Sequence, residues 1–422
     1  MMEFELPAAT IGGGLKMTTT LLTMLGKGKE KTTSGYRLAT YCFTDGTEHE
    51  TPFFGMALAA HLKPQNLIVL GTAGSMWFAL VEQVLNDTTE YVSLRSELLE
   101  AECQGAVTQT LLDQVTPLVR QSLGFEVFLR LIPAGKSEEE QIGILQVIAD
   151  VLGEQPTALH IDITHGFRHL ATVGFLSVTL LERLRPKLNI QGLWYGALDM
   201  TSPSGKTPVI RLDGLQHVQQ WVTALNRYDA SGDYGVFALL LTHDGVPKEK
   251  VDHLVDAAYF ESITQTRAAS NSLCALLPEL DHPLSGAGEL FRETLKKRLQ
   301  WARISDLSKQ QLHLAKSALK RQDYLRAMIF GLEALISDQT KRAGLDPHEY
   351  EDRKKVDERF LAELKEGKYS LEVKTAYVSL RSLRNAMAHG TPPQGKSAGL
   401  IKNQEKITTE INRILKVLER SG

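Results

Sequence analysis

The strongest constraint on this chain is a rhythm that stops halfway. Short apolar, β-prone runs recur at 18–25 (TTTLLTML), 36–43 (YRLATYCF), 66–71 (NLIVLG), 125–132 (FEVFLRLI), 158–163 (ALHIDI) and 190–196 (IQGLWYG). Helical patterns separate several of them. One at 138–152 puts Ile142, Leu145, Ile148, Ala149 and Leu152 on a single stripe, and another runs from Phe167 to Leu184. Strands separated by helices predict a mostly parallel sheet covered on both faces. From Leu215 onward no strand pattern is found. Helical periodicity runs instead through 215–242, 247–275, 288–302, 308–320, 324–342, 353–365, 371–389 and 401–420. The expected fold is therefore α/β plus all-α. It comprises an α/β domain at 17–214, a helical connector at 215–300 and an all-α domain at 301–422. Residues 1–16 read as a leader or an alternative start, with no function assigned.

The 422 residues leave room for two or three domains, and no apolar run reaches the ~20 residues that span a bilayer. The first residues lack the apolar core of a secretory signal. Cys42, Cys103 and Cys274 stand far apart, which fits a reducing cytoplasm and offers no zinc-ligand spacing. No metal set is read from the sequence. A net charge of −3 excludes a chain that is basic throughout, although residues 291–321 carry nine Lys/Arg against two Asp/Glu. Such a stretch either attracts phosphates or forms a solvated helix face.

Ligands of open parallel sheets bind beyond the carboxyl ends of the strands, where strand order reverses. Three such ends carry glycine and polar residues: Gly26-Lys27-Gly28-Lys29, Gly71-Thr72-Ala73-Gly74-Ser75-Met76-Trp77, and Asp162-Ile163-Thr164-His165-Gly166-Phe167-Arg168. Glycines expose backbone amides to a phosphate. Thr72, Ser75 and Thr164 cap helices or donate to phosphate oxygens. Lys27, Lys29 and Arg168 supply positive charge, and Trp77 and Phe167 offer faces for a base. Taken singly, each has a plainer use as a tight turn, a cap or a satisfied loop residue. Neither GxGxxG nor GxxxxGK[ST] is present, which argues against dehydrogenases and ordinary nucleoside triphosphatases.

The segment Asp162–Arg168 resembles the Asp-x-Thr-His-Gly signature of CRISPR-associated proteins with a CARF domain, the sensor of cyclic oligoadenylates. Leu22–Lys27, Gly71–Trp77, Ile132–Glu140 and Tyr195-Gly196-Ala197 resemble other segments of that family in the same order, over about 200 residues. The C-terminal domain resembles a HEPN ribonuclease. Its Arg-x4–6-His signature reads Arg384-Asn385-Ala386-Met387-Ala388-His389, with Tyr324, Ala327 and Glu333 on an earlier helix. Lys27 after Gly26 departs from the family's glycine turn. The resemblance implies a homodimer, or an assembly of dimers, activated by cyclic oligoadenylate, cyclic tetra-adenylate being the commoner ring. It also implies cleavage of single-stranded RNA without metal or other cofactor.

That chemistry suits the residue types. RNA supplies its own 2′-hydroxyl as nucleophile. His389, beside the negative end of a helix dipole, suits protonation of the leaving oxygen. The guanidinium fork of Arg384 matches phosphate oxygens, and Asn385 is placed to orient phosphate or His389. Residues five apart on a helix point ~140° away from each other. Both therefore reach one substrate only if the last turn unwinds or if two protomers combine their motifs, the arrangement the family uses. Three alternatives stay open: a sensor domain that cleaves its own ligand through Thr164, His165 or Lys27, a non-catalytic regulator, and an inactive toxin-like scaffold in which the Arg-His motif is structural.

Overall fold

The computed structural model describes residues 17–27, 38–85, 91–390 and 396–421. Gly28 and Lys29 lie outside the described residues. The chain packs as two compact units that divide between Asp213 and Gly214.

The first unit runs β1 (Thr18–Leu25), β2 (Ala39–Cys42), β3 (Glu48–Thr51), α1 (Phe54–Leu62), β4 (Asn66–Gly71), α2 (Trp77–Leu85), α3 (Val92–Cys103), α4 (Gln109–Leu123), β5 (Glu126–Leu131), α5 (Glu138–Leu152), β6 (Thr157–Asp162), α6 (Arg168–Leu184), β7 (Leu188–Gly196) and β8 (Lys206–Arg211). The strands form one sheet ordered β3-β2-β8-β7-β6-β1-β4-β5. From β7 to β5 every neighbouring pair is parallel. β7 pairs antiparallel with β8, and β2 with β3.

β1 shows why an unbroken apolar run becomes a central strand. Leu21 and Leu25 point into one core with residues of α1, α2 and α4. Leu22 and Met24 point into the other with residues of α5 and α6. All four are buried, each contributing ~1.5–3 kcal/mol. α5 begins where its sequence says it should. Ser137 accepts from the Glu140 amide, and three glutamates occupy the positive first turn. The predicted strands at 18–25 and 66–71 and the helix at 138–152 match β1, β4 and α5 end to end.

Two strands escaped the sequence pattern. β3 is four residues with two exposed glutamates, and β8 contains Pro208. Neither alternates strongly. Each exists because the fold brings a pairing partner alongside, β2 for β3, and β2 and β7 for β8.

The second unit is helical throughout its described residues: α7 (Asp213–Ser231), α8 (Ala238–His243), α9 (Lys248–Ser262), α10 (Thr266–Leu276), α11 (Gly288–Leu299), α12 (Leu307–Lys320), α13 (Tyr324–Arg342), α14 (Tyr350–Lys365), α15 (Leu371–His389), α16 (Lys396–Ile401) and α17 (Gln404–Ser421), with short 3-10 turns between some of them. The expected helix at 215–242 is broken near Gly232, whose φ is +78°. There Asp233 accepts from the Gly235 amide and starts a new turn. The expected helix at 247–275 breaks at Thr264, with φ +63°. One apolar core runs from Trp221 to Leu418 and draws residues from both sides of position 300. The expected division between a connector and a C-terminal domain is thus no break in packing.

No helix among the described residues is long and apolar enough to cross a membrane.

Candidate functional site

In the first unit, β4 lies on one side of β1 and β6 on the other, so strand order reverses at β1. The crevice expected of such a sheet therefore opens at the carboxyl ends of β1 and β6. Gly26 and Lys27 follow β1. Gly26 is buried, its carbonyl accepting from the Met76 amide, and Lys27 is exposed.

Asp162 ends β6 and is fully buried. Its Oδ2 accepts from the Thr23 hydroxyl at 2.6 Å and its Oδ1 from the Thr164 amide at 2.7 Å. Burial pushes this carboxyl up to about 6, while the bonds from Thr164 and Thr23 oppose the rise. The Thr164 hydroxyl in turn accepts from the Gly196 amide at 2.8 Å. The loop is thereby tied to β1 on one side and β7 on the other. Gly196 is required there, because a Cβ would lie 2.7 Å from the Tyr41 ring and 2.8 Å from that of Phe54.

The chain then turns through Gly166, at φ +99°, into α6. This helix starts at Arg168 with no side chain capping its first turn. Its amides and dipole point positive charge outward, and the exposed Arg168 guanidinium adds to it. Phe167 is exposed and stacks on His169, with ring centroids 5.8 Å apart. Nε2 of His169 lies 2.7 Å from the Ala134 carbonyl, so the loop after β5 braces the same helix start. A cavity of about 360 Å³ lies here, lined by Thr164, Gly166, Phe167, Arg168, Tyr195 and Asp199 among others. Backbone amides, a guanidinium and aromatic faces together suit a ligand made of phosphates and bases.

Three expected ligand contacts are buried, and of these only His165 still lines the cavity. Trp77, expected to stack a base, is fully buried and donates its indole N–H to the Thr72 carbonyl at 2.9 Å. Its ring lies so close to Gly71 that a Cβ there would come within 2.6 Å, which explains that glycine. Ser75 is buried too, donating to the Leu25 carbonyl and accepting from the Thr72 amide. It staples the turn to β1. His165 is buried and its Nε2 accepts from the Phe54 amide at 3.1 Å. Burial lowers its pKa to about 4, so it is neutral and anchors the start of α1. Thr72 and Gly74 remain partly exposed. His169, Tyr195 and Asp199 were not among the expected contacts. Tyr195 was visible only as part of the Tyr-Gly-Ala segment, and His169 as the residue after the signature.

In the second unit, Arg384, Asn385 and His389 all lie on α15, which Ser370 caps and Gly390 closes at φ +63°. Arg384 is half-buried, and Asn385 and His389 are exposed. The helix is continuous through His389, so the last turn does not unwind to aim both motif side chains at one point. Of the earlier helix, Ala327 is buried, Tyr324 bonds to Thr408, and Glu333 pairs with Arg353. The basic stretch is largely neutralised. Lys296 and Arg303 pair with Asp281, Arg298 with Asp229, and Lys316 with Glu419.

Comparison with known proteins places this geometry. Residues 20–197 match the family model described as CRISPR system endoribonuclease Csx1, CARF domain. A curated relative, CRISPR-associated protein MJ1674 of Methanocaldococcus jannaschii, is 21% identical over 272 residues, covering 59% of this chain. The chain spans less than half (43%) of that relative's length. Among solved structures, Enterococcus italicus Csm6 bound to cyclic hexa-2′-fluoro-hexa-dAMP aligns over 95% of this chain and 94% of its own, at 12% identity and a TM-score of 0.32. The CARF match lies over the sheet from β1 to β7, with the Asp162–Arg168 signature at its switch point, so residues 20–197 are similar to the CARF domain of a CRISPR-associated protein.

Proposed function

We propose that this protein is a cyclic-oligoadenylate-activated endoribonuclease that cleaves single-stranded RNA without metal. The crevice at Thr164–Arg168 takes the activator. Amides of the loop and α6, with Arg168 and Lys27, hold its phosphates, and Phe167 and Tyr195 flank its bases. The observation that carries this reading is the uncapped start of α6 beside an exposed guanidinium, inside a CARF sheet and at its switch point.

Catalysis is assigned to Arg384, Asn385 and His389. His389 protonates the leaving 5′-oxygen while Arg384 neutralises the charge developing on the phosphate. Because α15 stays helical to His389, one chain does not direct both groups to one phosphate. A second copy completes the site. An unpaired apolar stripe, Leu176, Leu180 and Leu184 at four-residue spacing on α6, supports self-association. Activator binding then favours the dimer arrangement that assembles the two motifs, in proportion to its tighter binding to that state.

Cleavage of the ring by the sensor itself gains no support from His165, which is neutral and engaged with Phe54. The test is cleavage of a fluorescent single-stranded RNA in EDTA, with and without cyclic tetra- and hexa-adenylate. Stimulation by one ring supports the proposal. Binding of a ring without cleavage leaves a regulator instead.

A further inference from the structure

The second unit holds a side-chain cluster that this reading does not use. His217 on α7 and the consecutive pair His243-Asp244 at the end of α8 converge on one point. Nε2 of His217 lies 2.6 Å from Asp244 Oδ1, and Nδ1 of His243 lies 3.0 Å from the same oxygen. One nitrogen from each imidazole and a carboxylate oxygen all fall within 4.8 Å of one another. We propose that His217, His243 and Asp244 form a mononuclear site for a divalent transition-metal ion of the zinc class.

The donor set selects the ion. Two imidazoles and one carboxylate suit Zn²⁺ and its neighbours Co²⁺ and Ni²⁺, whereas Mg²⁺ and Ca²⁺ take oxygen ligands. Tetrahedral ligands at ~2.0–2.1 Å from an ion stand about 3.3 Å from each other. His217 and Asp244 therefore need to open by about 0.7 Å, and His243 and Asp244 by about 0.3 Å.

Its surroundings hold the ligands in place. Asp244 is buried, and its other oxygen accepts from the Trp221 indole N–H at 2.8 Å. Gly288 packs so closely that a Cβ would fall 2.4 Å from that oxygen. The far nitrogen of His217 faces Gln220 Oε1 at 3.4 Å. Partners of this kind fix the orientation of metal ligands. His217 and Trp221 by themselves suffice to satisfy a buried carboxylate. They do not account for His243, whose side chain is 69% exposed yet turns onto the same oxygen. That exposure also leaves a coordination position for water.

The ion clasps α7 to the turn between α8 and α9. None of its ligands belongs to the Arg384–His389 motif, so the site is compatible with RNA cleavage that uses no metal. The sequence concealed it because His217 stands 26 residues before His243 and follows no metal-binding spacing.

The test uses the full chain, stripped with chelator and titrated with zinc or cobalt chloride, read by calorimetry and by the visible absorption of bound Co²⁺. The expected result is one equivalent per chain. His243→Ala, a substitution at an exposed position, should weaken binding at least about 100-fold while circular dichroism stays unchanged. His348→Ala, at an exposed histidine on another loop, should bind as wild type does. No stoichiometric binding by the stripped wild-type chain overturns the proposal, and so does equal binding by His243→Ala.

Discussion

Replacing Asp162 by asparagine tests the central joint of the first unit. The carboxyl is fully buried, and its pKa is raised from the ordinary 3.8 to about 6, burial being the largest cause. Between those two values the folded state holds a proton that the unfolded state has lost. Stability therefore falls as pH rises through this window, by roughly 3 kcal/mol once both states are ionised. Asparagine has the same shape and never ionises. Its Oδ1 still accepts from the Thr164 amide, and its Nδ2 can donate to the Thr23 hydroxyl once that hydroxyl turns. Loss of the charged acceptor costs about 1–2 kcal/mol at neutral pH. What isolates ionisation is the difference between variant and wild type. It should move in the variant's favour by roughly 2.4 kcal/mol from pH 4 to pH 7. Because the chain has two units, the readout must belong to the first one. Urea titrations at each pH, followed by pulsed hydrogen exchange of peptides from β1 and β6, supply it. Parallel pH profiles for the two proteins would refute the argument, since they would mean that the Asp162 carboxyl titrates alike in the folded and unfolded chain.

Three further outcomes are expected. His389→Ala should reduce activated RNA cleavage by about 10²-fold or more, the loss of a general acid, while equilibrium dialysis shows unchanged activator binding. Arg168→Ala should weaken activator binding by ~1.5–3 kcal/mol, the worth of a charge-assisted bond to phosphate, and saturating activator should restore the cleavage rate. Trp77→Ala should destabilise the first unit by about 3–5 kcal/mol, as a large buried side chain does, measured by the same exchange readout. Weaker activator binding without that loss of stability would return Trp77 to the ligand.

Some of this molecule was legible residue by residue. The apolar runs of β1 and β4 are buried on both faces, so composition alone marks them as strands, and Ser137 with the glutamates after it marks the start of α5. The signature at Asp162–Arg168 was visible because a strand end, a glycine with positive φ and a helix start must follow one another in sequence. β3 and β8 were hidden because short strands with glutamates or a proline draw their stability from partners far along the chain. The breaks at Gly232 and Thr264 were hidden because apolar periodicity continues across a reversal that stays in one core.

The residues of the site divide along the same line. Sequence by itself determined which side chains stand at the ends of β1, β4 and β6, because local order puts them there. Only tertiary structure decided their duties, because burial is a property of what packs on top. Trp77 and His165 share with Phe167 and Arg168 the right position and the right chemistry for a ligand. The first two lie beneath the turn and against α1, and the other two face outward. The His217–His243–Asp244 cluster is the extreme case, since three residues without a motif become one site only when α7 and α8 fold together.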